Sequence, residues 1–345
     1  MELSIAKISD IKLIMDFLGK YWKKGHILST NKELLLYEFK DEERLNFTIA
    51  KDSHGDIIGL FGFIKYNSLN LPDLAGSLWK VKDDCKVPML GLKLREFTIK
   101  NIPHRFFAAP GAGLQTKSIY KIIKMDWNQM EHYYIHNDKK SFFEILKMDK
   151  PIKKYCINET IESNENLITK VTNIEELKNF DFNKYTNIVP FKDFEYIKKR
   201  FVDYPINKYD IYKVEVDGEL VNIFICREVK KDNSRAYRVV DFYGNDSYLK
   251  KIADFLYLYI IDKDYEYFDF VCYGFIEENM TDIGFNKLSF ENETIIVPNF
   301  FEPFVQKNIP IYCVSDKMVN EDIHFRQCKA DGDQDRPNII RNNNE

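Results

Sequence analysis

Hydrophobic and polar positions along the chain predict two series of elements that run in the same order. In the first, LSIAKIS has the period-two pattern of a strand, and Asp10 stands where it caps a helix through IKLIMDFLGKYW. NKELLLYEF predicts a second helix. LNFTIAKDSHGDIIGLFGFIKYN predicts a hairpin, with two apolar runs around a turn at His54-Gly55-Asp56. GSLWKVKD predicts a third strand. PMLGLKLREFTIKNI predicts a helix with Leu90, Leu94, Phe97 and Ile99 at helical spacing. RFFAAPGAG predicts a short buried strand that ends in a glycine-rich turn at Gly111 and Gly113, followed by a helix in TKSIYKIIKM and a strand in NQMEHYYIHN.

The second series begins with a strand in LITKVTN and helices in IEELKNF and KDFEYIKKRF. A hairpin in YDIYKVEVDGELVNIFICREV turns on Asp217-Gly218, at the place the first hairpin holds in its own series. A strand in AYRVVDFYG, a helix in DSYLKKIADFLYLYI, a buried strand in YEYFDFVCYG, a short helix in EENMTDIGF and a final pair around TIIVPNFF complete it. Residue identity between the copies is low, so the repeat is one of architecture. The expected organisation is a domain over 1–137, a polar linker over 138–166, a second domain over 167–338, and a tail over 339–345.

Composition narrows this picture. The 345 residues carry 50 Lys+Arg against 54 Asp+Glu, a net charge of -4, so bulk attraction to nucleic acid is not indicated. Six scattered cysteines include no CxxC pair and no metal-ligand spacing, which predicts reduced, mostly core thiols and no metal. No run approaches the ~20 apolar residues that span a bilayer. The N-terminus reads as strand then helix, so the expected location is the cytoplasm. In KADGDQDRPN, Asp331, Asp333 and Asp335 match the start of a calcium loop. Arg336 stands where that loop needs glycine, and Asn342 stands at its twelfth position.

The element order, the IIGLFGFIKY hairpin, the IGF at Ile283–Phe285 and the closing ADGDQDRPN together resemble the GNAT acyltransferases in tandem. They are similar in particular to two-GNAT enzymes of surface-polysaccharide biosynthesis and, more distantly, to the FemABX aminoacyltransferases. The resemblance implies an α/β (α+β) fold of two GNAT-like domains, each a mixed, mostly antiparallel sheet flanked by helices. It also implies an acetyl-CoA or other acyl-CoA donor and a small-molecule amino-sugar acceptor whose free amine is the nucleophile.

Such proteins cradle a pyrophosphate on successive backbone amides at a helix N-terminus, in a pattern of the type Arg/Gln-x-x-Gly-x-Gly/Ala. The aligned stretch of the first copy is KVPMLG, with Lys86 in the basic place, Met89 replacing the first glycine, Gly91 the last glycine, and Pro88 removing an amide. The implied acyl-CoA contacts are Lys86, Val87, Leu90, Gly91 and Leu92, with Gly111 and Gly113. The second copy has GNDS, where Asp246 repels a phosphate.

Tyr120 takes the place of the tyrosine that protonates the leaving thiolate, although Lys124 and Met125 replace the Gly-Phe that usually follows. The second copy keeps Gly284-Phe285 and has Met280 in place of tyrosine. A base for the acceptor ammonium is sought in His132, which shares a strand face with His136, or in Asp241. Lys329 to Asn338 is expected to be ordered near an inter-domain cleft. Asp331, Asp333, Asp335 and Arg336 would then contact the acceptor. The competing readings are an aminoacyl-tRNA-dependent FemABX-like transferase and a non-catalytic tandem module.

Overall fold

The computed structural model describes residues 1–157, 167–291, 293–318 and 322–339. They form two compact units. Unit one holds Met1–Trp127, Cys313–Lys317 and the chain from Pro337, and unit two holds Asn128–Tyr312 and Met318–Arg336. The division therefore follows Trp127 instead of Asn137, and a short C-terminal stretch belongs to unit one. The described part of the predicted linker packs within unit two. There the Glu266 carboxylate accepts from the amides of Glu144, Ile145 and Leu146, and Ile145 and Leu146 are buried. Residues 158–166 of the linker and 340–345 of the tail lie outside the described residues.

In unit one, β1 (Glu2–Lys7) is followed by α1 (Ile11–Phe17), α2 (Lys32–Phe39), β2 (Arg44–Lys51), β3 (Ile57–Lys65), β4 (Asp73–Val81), α3 (Leu90–Asn101), β5 (Phe106–Pro110) and α4 (Lys117–Ile122). α2 starts at Asn31, whose side chain accepts from the Leu34 amide at 2.9 Å. The sheet runs β1-β2-β3-β4-β5 and continues with Tyr312–Ser315. β1 to β4 pair antiparallel, β4 and β5 pair parallel, and Cys313–Ser315 pairs antiparallel to β5.

The parallel ladder between β4 and β5 covers only Asp73↔Phe106, Leu74↔Phe107 and Ala75↔Ala108. Directly beyond it β4 carries a bulge against β3, since Phe61 pairs with Trp79 but Phe63 pairs with Gly76. A bulge bends its strand, so β4 turns away from β5 and runs on to Val81 alone on that side. The result is a fork. Its length from Ala75 to Val81 is about 20 Å at the rise of a strand.

Unit two has the same plan. It consists of β6 (Glu131–His136), β7 (Ile168–Lys170), β8 (Asp210–Val216), β9 (Glu219–Lys231), β10 (Ser234–Gly244), α5 (Leu249–Asp262), β11 (Tyr267–Tyr273) and α6 (Glu277–Ile283). Its sheet runs β7-β8-β9-β10-β11-β6. α5 is the plainest amphipathic helix, burying Leu249, Ile252, Ala253, Leu256, Tyr257 and Ile260 at three- and four-residue spacing. The helices expected in IEELKNF and KDFEYIKKRF are shorter turns, a 3₁₀ helix over Ile174–Asn179 and a helix over Phe194–Ile197 that widens into a π turn.

β10 and β11 pair in parallel only from Tyr237↔Phe268 to Val239↔Phe270, and β10 bulges at once, with Ile225 opposite Asp241 and Cys226 opposite Val239. Unit two therefore has a fork at the equivalent place. β6, read from the sequence as the last strand of the first copy, lies instead in this second sheet and pairs with β11 from Tyr267↔His136 to Cys272↔Glu131. Five of its six residues are buried. With both faces buried, its residue pattern does not say which sheet receives it.

Candidate functional site

The fork of unit one is where the sequence-predicted donor residues gather. Lys86, Val87, Pro88 and Met89 form a largely exposed loop between the end of β4 and α3. Met89 heads α3 at φ 56°, a left-handed conformation. Thus the backbone takes the shape a glycine would give, although the side chain is methionine and 55% exposed. Gly91 is tied to β4, since its carbonyl accepts from Trp79 Nε1 at 3.0 Å. A Cβ at Gly91 would lie 3.1 Å from that same Trp79 nitrogen. Leu90 is buried in the core beneath, and Leu92 is half-buried. Gly111, at φ 67°, and Gly113 form the turn leaving the other arm, β5.

Tyr120, on α4, is 3% exposed, and its ring meets Trp79 edge-on at 5.5 Å and Trp127 at 6.3 Å. Burial pushes its phenol far above the ordinary tyrosine value, against the opposing field of Arg95. The hydroxyl therefore keeps its proton across the physiological range. At the closed end of the fork, the Phe107 ring of β5 fits against Gly76 of β4, where an added Cβ would come within 2.7 Å of Phe107 Cζ. Above that ring, at 4.9 Å, lies the guanidinium of Arg95 from α3. Sequence reasoning passed over Arg95. An arginine beside Leu94 reads as a surface residue, and only its place between buried Leu94 and Thr98 hints otherwise. Among the described residues, no strand pairs between β4 and β5 beyond Ala75.

The fork of unit two is filled by the chain itself. The short strand Gln327–Cys328 pairs antiparallel to β11 through Cys272↔Cys328 and Tyr273↔Gln327. The Ala330 amide then donates to the Val240 carbonyl of β10 at 2.9 Å. The segment thus bridges both arms where unit one has none. Its loop equivalent is closed as well, because Arg326 Nη2 holds Asp246 Oδ2 at 2.8 Å.

The other predicted site residues belong to this filled fork. Lys192 Nζ lies 2.6 Å from Asp241 Oδ1 and 2.5 Å from Asp331 Oδ1, with all three side chains buried. Asp241 also accepts from the Tyr243 hydroxyl at 2.7 Å and from the Phe242 amide, and Asp331 accepts from the Cys328 amide at 2.7 Å. Burial works against the Lys192 ammonium, but the two carboxylates outweigh it and hold its pKa well above the ordinary lysine value. With two carboxylates to one ammonium, burial pushes the Asp331 carboxyl up to about 6.

Asp335 accepts from Tyr209 at 2.8 Å and pairs with Arg227 at 3.2 Å, while Arg336 folds back on Asp333 at 2.8 Å. The three aspartates thus meet three different cations, Lys192, Arg336 and Arg227. His132 is completely buried with Nε2 2.8 Å from Asp269 Oδ2, and Arg238 grips the same carboxylate at 2.6 Å. Burial lowers the His132 pKa despite that carboxylate. Tyr120 lies in unit one and His132 and Asp241 lie in unit two, so the structure does not gather the predicted catalytic residues within one unit.

No protein-family profile and no curated protein matches this sequence. Among solved structures, the chain is similar to a GCN5-related N-acetyltransferase from Anabaena variabilis, with a TM-score of 0.55, 9% identity, and coverage of 91% of this chain and 72% of that one. A probable N-acyltransferase from Enterococcus faecalis gives a TM-score of 0.54, 8% identity, and the same coverage of 91% and 72%. A glucosamine N-acetyltransferase region of a fungal multi-domain β-N-acetylglucosaminidase gives 0.51 at 10% identity, covering 92% of this chain and 38% of that one. At such identities the likeness is one of fold. The chain has the GNAT-like fold, two mixed sheets flanked by helices.

Proposed function

We propose that the chain is an acyl-CoA-dependent N-acyltransferase whose donor binds in the fork of unit one. We infer its acceptor to be the amine of an amino sugar, free or nucleotide-linked, used in making a surface polysaccharide. The observation that carries the donor assignment is the contrast between the forks. Unit one keeps an exposed loop, a left-handed turn at Met89 and, among the described residues, a stretch of β4 past Ala75 with no strand paired to it on the β5 side. The matching gap in unit two holds Gln327–Ala330. The acceptor class is supported by one protein of the same fold, a glucosamine N-acetyltransferase region.

In this reading the amides of the loop and of the first turn of α3 hold the diphosphate, with Lys86 adding charge and Leu90, Gly91 and Leu92 shaping the wall. The pantetheine arm lies along the free edge of β4, between Trp79 and the Gly111–Gly113 turn. Free amine attacks the thioester carbon, the C–N bond forms, and the C–S bond breaks. The leaving sulfur takes the proton of the buried Tyr120 hydroxyl, and the phenolate regains a proton from solvent before the next turnover. Asp241 and His132 are bound to Lys192 and Asp269, so solvent is assigned the amine proton. The C-terminal aspartates then serve the acceptor by fixing the shape of unit two.

Mass spectrometry of nucleotide-linked and free amino sugars incubated with acyl-CoA tests the proposal. An acylated sugar with release of free CoA is the expected result. No acyl product and no thiol release with any amine would overturn it. A salt-sensitive complex with transfer RNA in place of acyl-CoA binding would favour the aminoacyl-tRNA reading.

A further inference from the structure

Unit two has a cleft that the donor assignment leaves unused. Its walls come from the turn at 180–185, the segment at 188–192, the end of β10 at 242–244, and Arg326. About 410 Å³ of empty space lies between them, part of it open solvent. Ile188–Val189 pairs parallel with His324–Phe325, and the Arg326 amide then donates to the Val189 carbonyl at 2.9 Å. Backbone pairing thus holds Arg326 against the 188–192 wall.

The lining is aromatic and includes no carboxylate. Phe180 and Tyr185 stack at 5.4 Å with their planes 3° apart, and Phe182 meets Phe180 edge-on at 4.8 Å. Phe182 and Tyr185 are half-buried, while Phe191 and Tyr243 are buried. Two cations join the rings, Lys192 and Arg326. The Lys192 ammonium is spent on Asp241 and Asp331, and the Tyr243 hydroxyl on Asp241. Arg326 is different. Its Nη2 holds Asp246 at 2.8 Å, but its Nε and Nη1 are buried without a hydrogen-bond partner.

These features select a chemistry. Aromatic faces take a flat ring, because stacking is favourable over the whole ring area. A sugar would bring many hydroxyls to a wall with few polar groups to meet them. Unspent guanidinium donors are satisfied by a carbonyl oxygen and not by an amino group. A flat ring that carries carbonyls, of the uracil or thymine type, meets both demands.

We propose that this cleft binds the base of a pyrimidine nucleotide of the uracil or thymine type. Phe182 and Tyr185 stack on the ring, and Arg326 donates to a ring carbonyl. The inference rests on the reading of a nucleotide-linked acceptor and narrows that acceptor to one class of base. No bond of the base changes in the transfer.

Calorimetry of the full chain with UDP, CDP and GDP tests it, since the three share their diphosphate and differ in the base. Wild type is expected to bind UDP at least about tenfold more tightly than CDP, whose amino group replaces a carbonyl, and than GDP, whose base has two fused rings. Tyr185→Ala should weaken UDP about 5- to 150-fold. Arg326→Met should bring UDP and CDP to within about threefold of each other. Equal affinity of wild type for the three nucleotides, or no binding of UDP by a chain that binds acetyl-CoA, overturns this inference alone and needs no variant to fold. Unchanged UDP affinity in folded Tyr185→Ala also overturns it. Binding of UDP without any acyl-CoA overturns the acyltransferase reading and leaves the base site standing, and binding of neither overturns both.

Discussion

The two forks start from the same local event and end in different states. In each unit a parallel ladder stops after three rungs and a bulge turns one strand aside, at Gly76–Trp79 in β4 and at Val239–Asp241 in β10. Unit two closes the gap with a strand from its own C-terminal segment and neutralises the buried ends with Lys192, Asp241 and Asp331. Unit one has no strand there among the described residues, and Trp79, Tyr120 and Phe107 pack beside the fork. On the proposed reading, one fork of the duplicated architecture serves as a site and the other as structure. The difference resides in a few residues far from the repeat, and not in the bulge itself.

The largest expected effect comes from breaking the filled fork. Lys192→Met removes the shared cation and leaves buried carboxylates unpaired, which should cost about 3–5 kcal/mol in urea unfolding. Acyl-CoA affinity should stay within about twofold, because unit one is untouched. A stability loss under about 1 kcal/mol would mean the cluster does not hold unit two together.

The same cluster predicts a pH dependence. Asp331 has a folded pKa raised to about 6, so its contribution to stability is complete below about pH 4 and is lost as pH rises through 6. Its shift of about two units corresponds to roughly 3 kcal/mol. Asp331→Asn should remove that part of the slope between pH 4 and pH 6, and an unchanged slope would contradict the assignment.

Narrowing the other fork should act on binding as well as on folding. Gly76→Val places a Cβ within 2.7 Å of Phe107 Cζ, an overpacking worth about 1–3 kcal/mol, and should weaken acyl-CoA binding at least about tenfold. Unchanged affinity would move the donor elsewhere. The smallest effect is expected at Met89, which adopts φ 56°. Met89→Gly should stabilise the chain by roughly 0.5–1 kcal/mol, seen as a small rise in Tm, because glycine takes the left-handed conformation without strain.

Much of the fold was legible because its signals are local. Both hairpins turn where Gly55 and Asp217-Gly218 take positive φ, and α5 follows its apolar stripe. The strands that cross between the two halves of the sequence were not legible. β6 is buried on both faces, and Tyr312–Ser315 and Gln327–Cys328 are too short to carry a pattern, so their partners are set by contacts remote in sequence. Of the proposed site, Lys86 to Leu92 and Tyr120 rest on motif positions in the sequence. The turn at Met89 was legible only as a departure from glycine, although the backbone keeps the glycine shape. KADGDQDRPN was legible as something more ordered than a tail, but Asp331 and Asp335 face Lys192 and Arg227, which no local spacing reveals.

The central claim is that one fork binds a thioester and the other is already occupied. All three tryptophans, Trp22, Trp79 and Trp127, lie in unit one, and Trp79 forms a wall of its fork. Titration of the full chain with acetyl-CoA, followed by calorimetry and tryptophan fluorescence together, is the direct measurement. The account predicts one acyl-CoA per chain with a parallel change in fluorescence that is lost in Trp79→Phe. Two equivalent sites per chain, or binding that leaves the tryptophans unaffected, would contradict it.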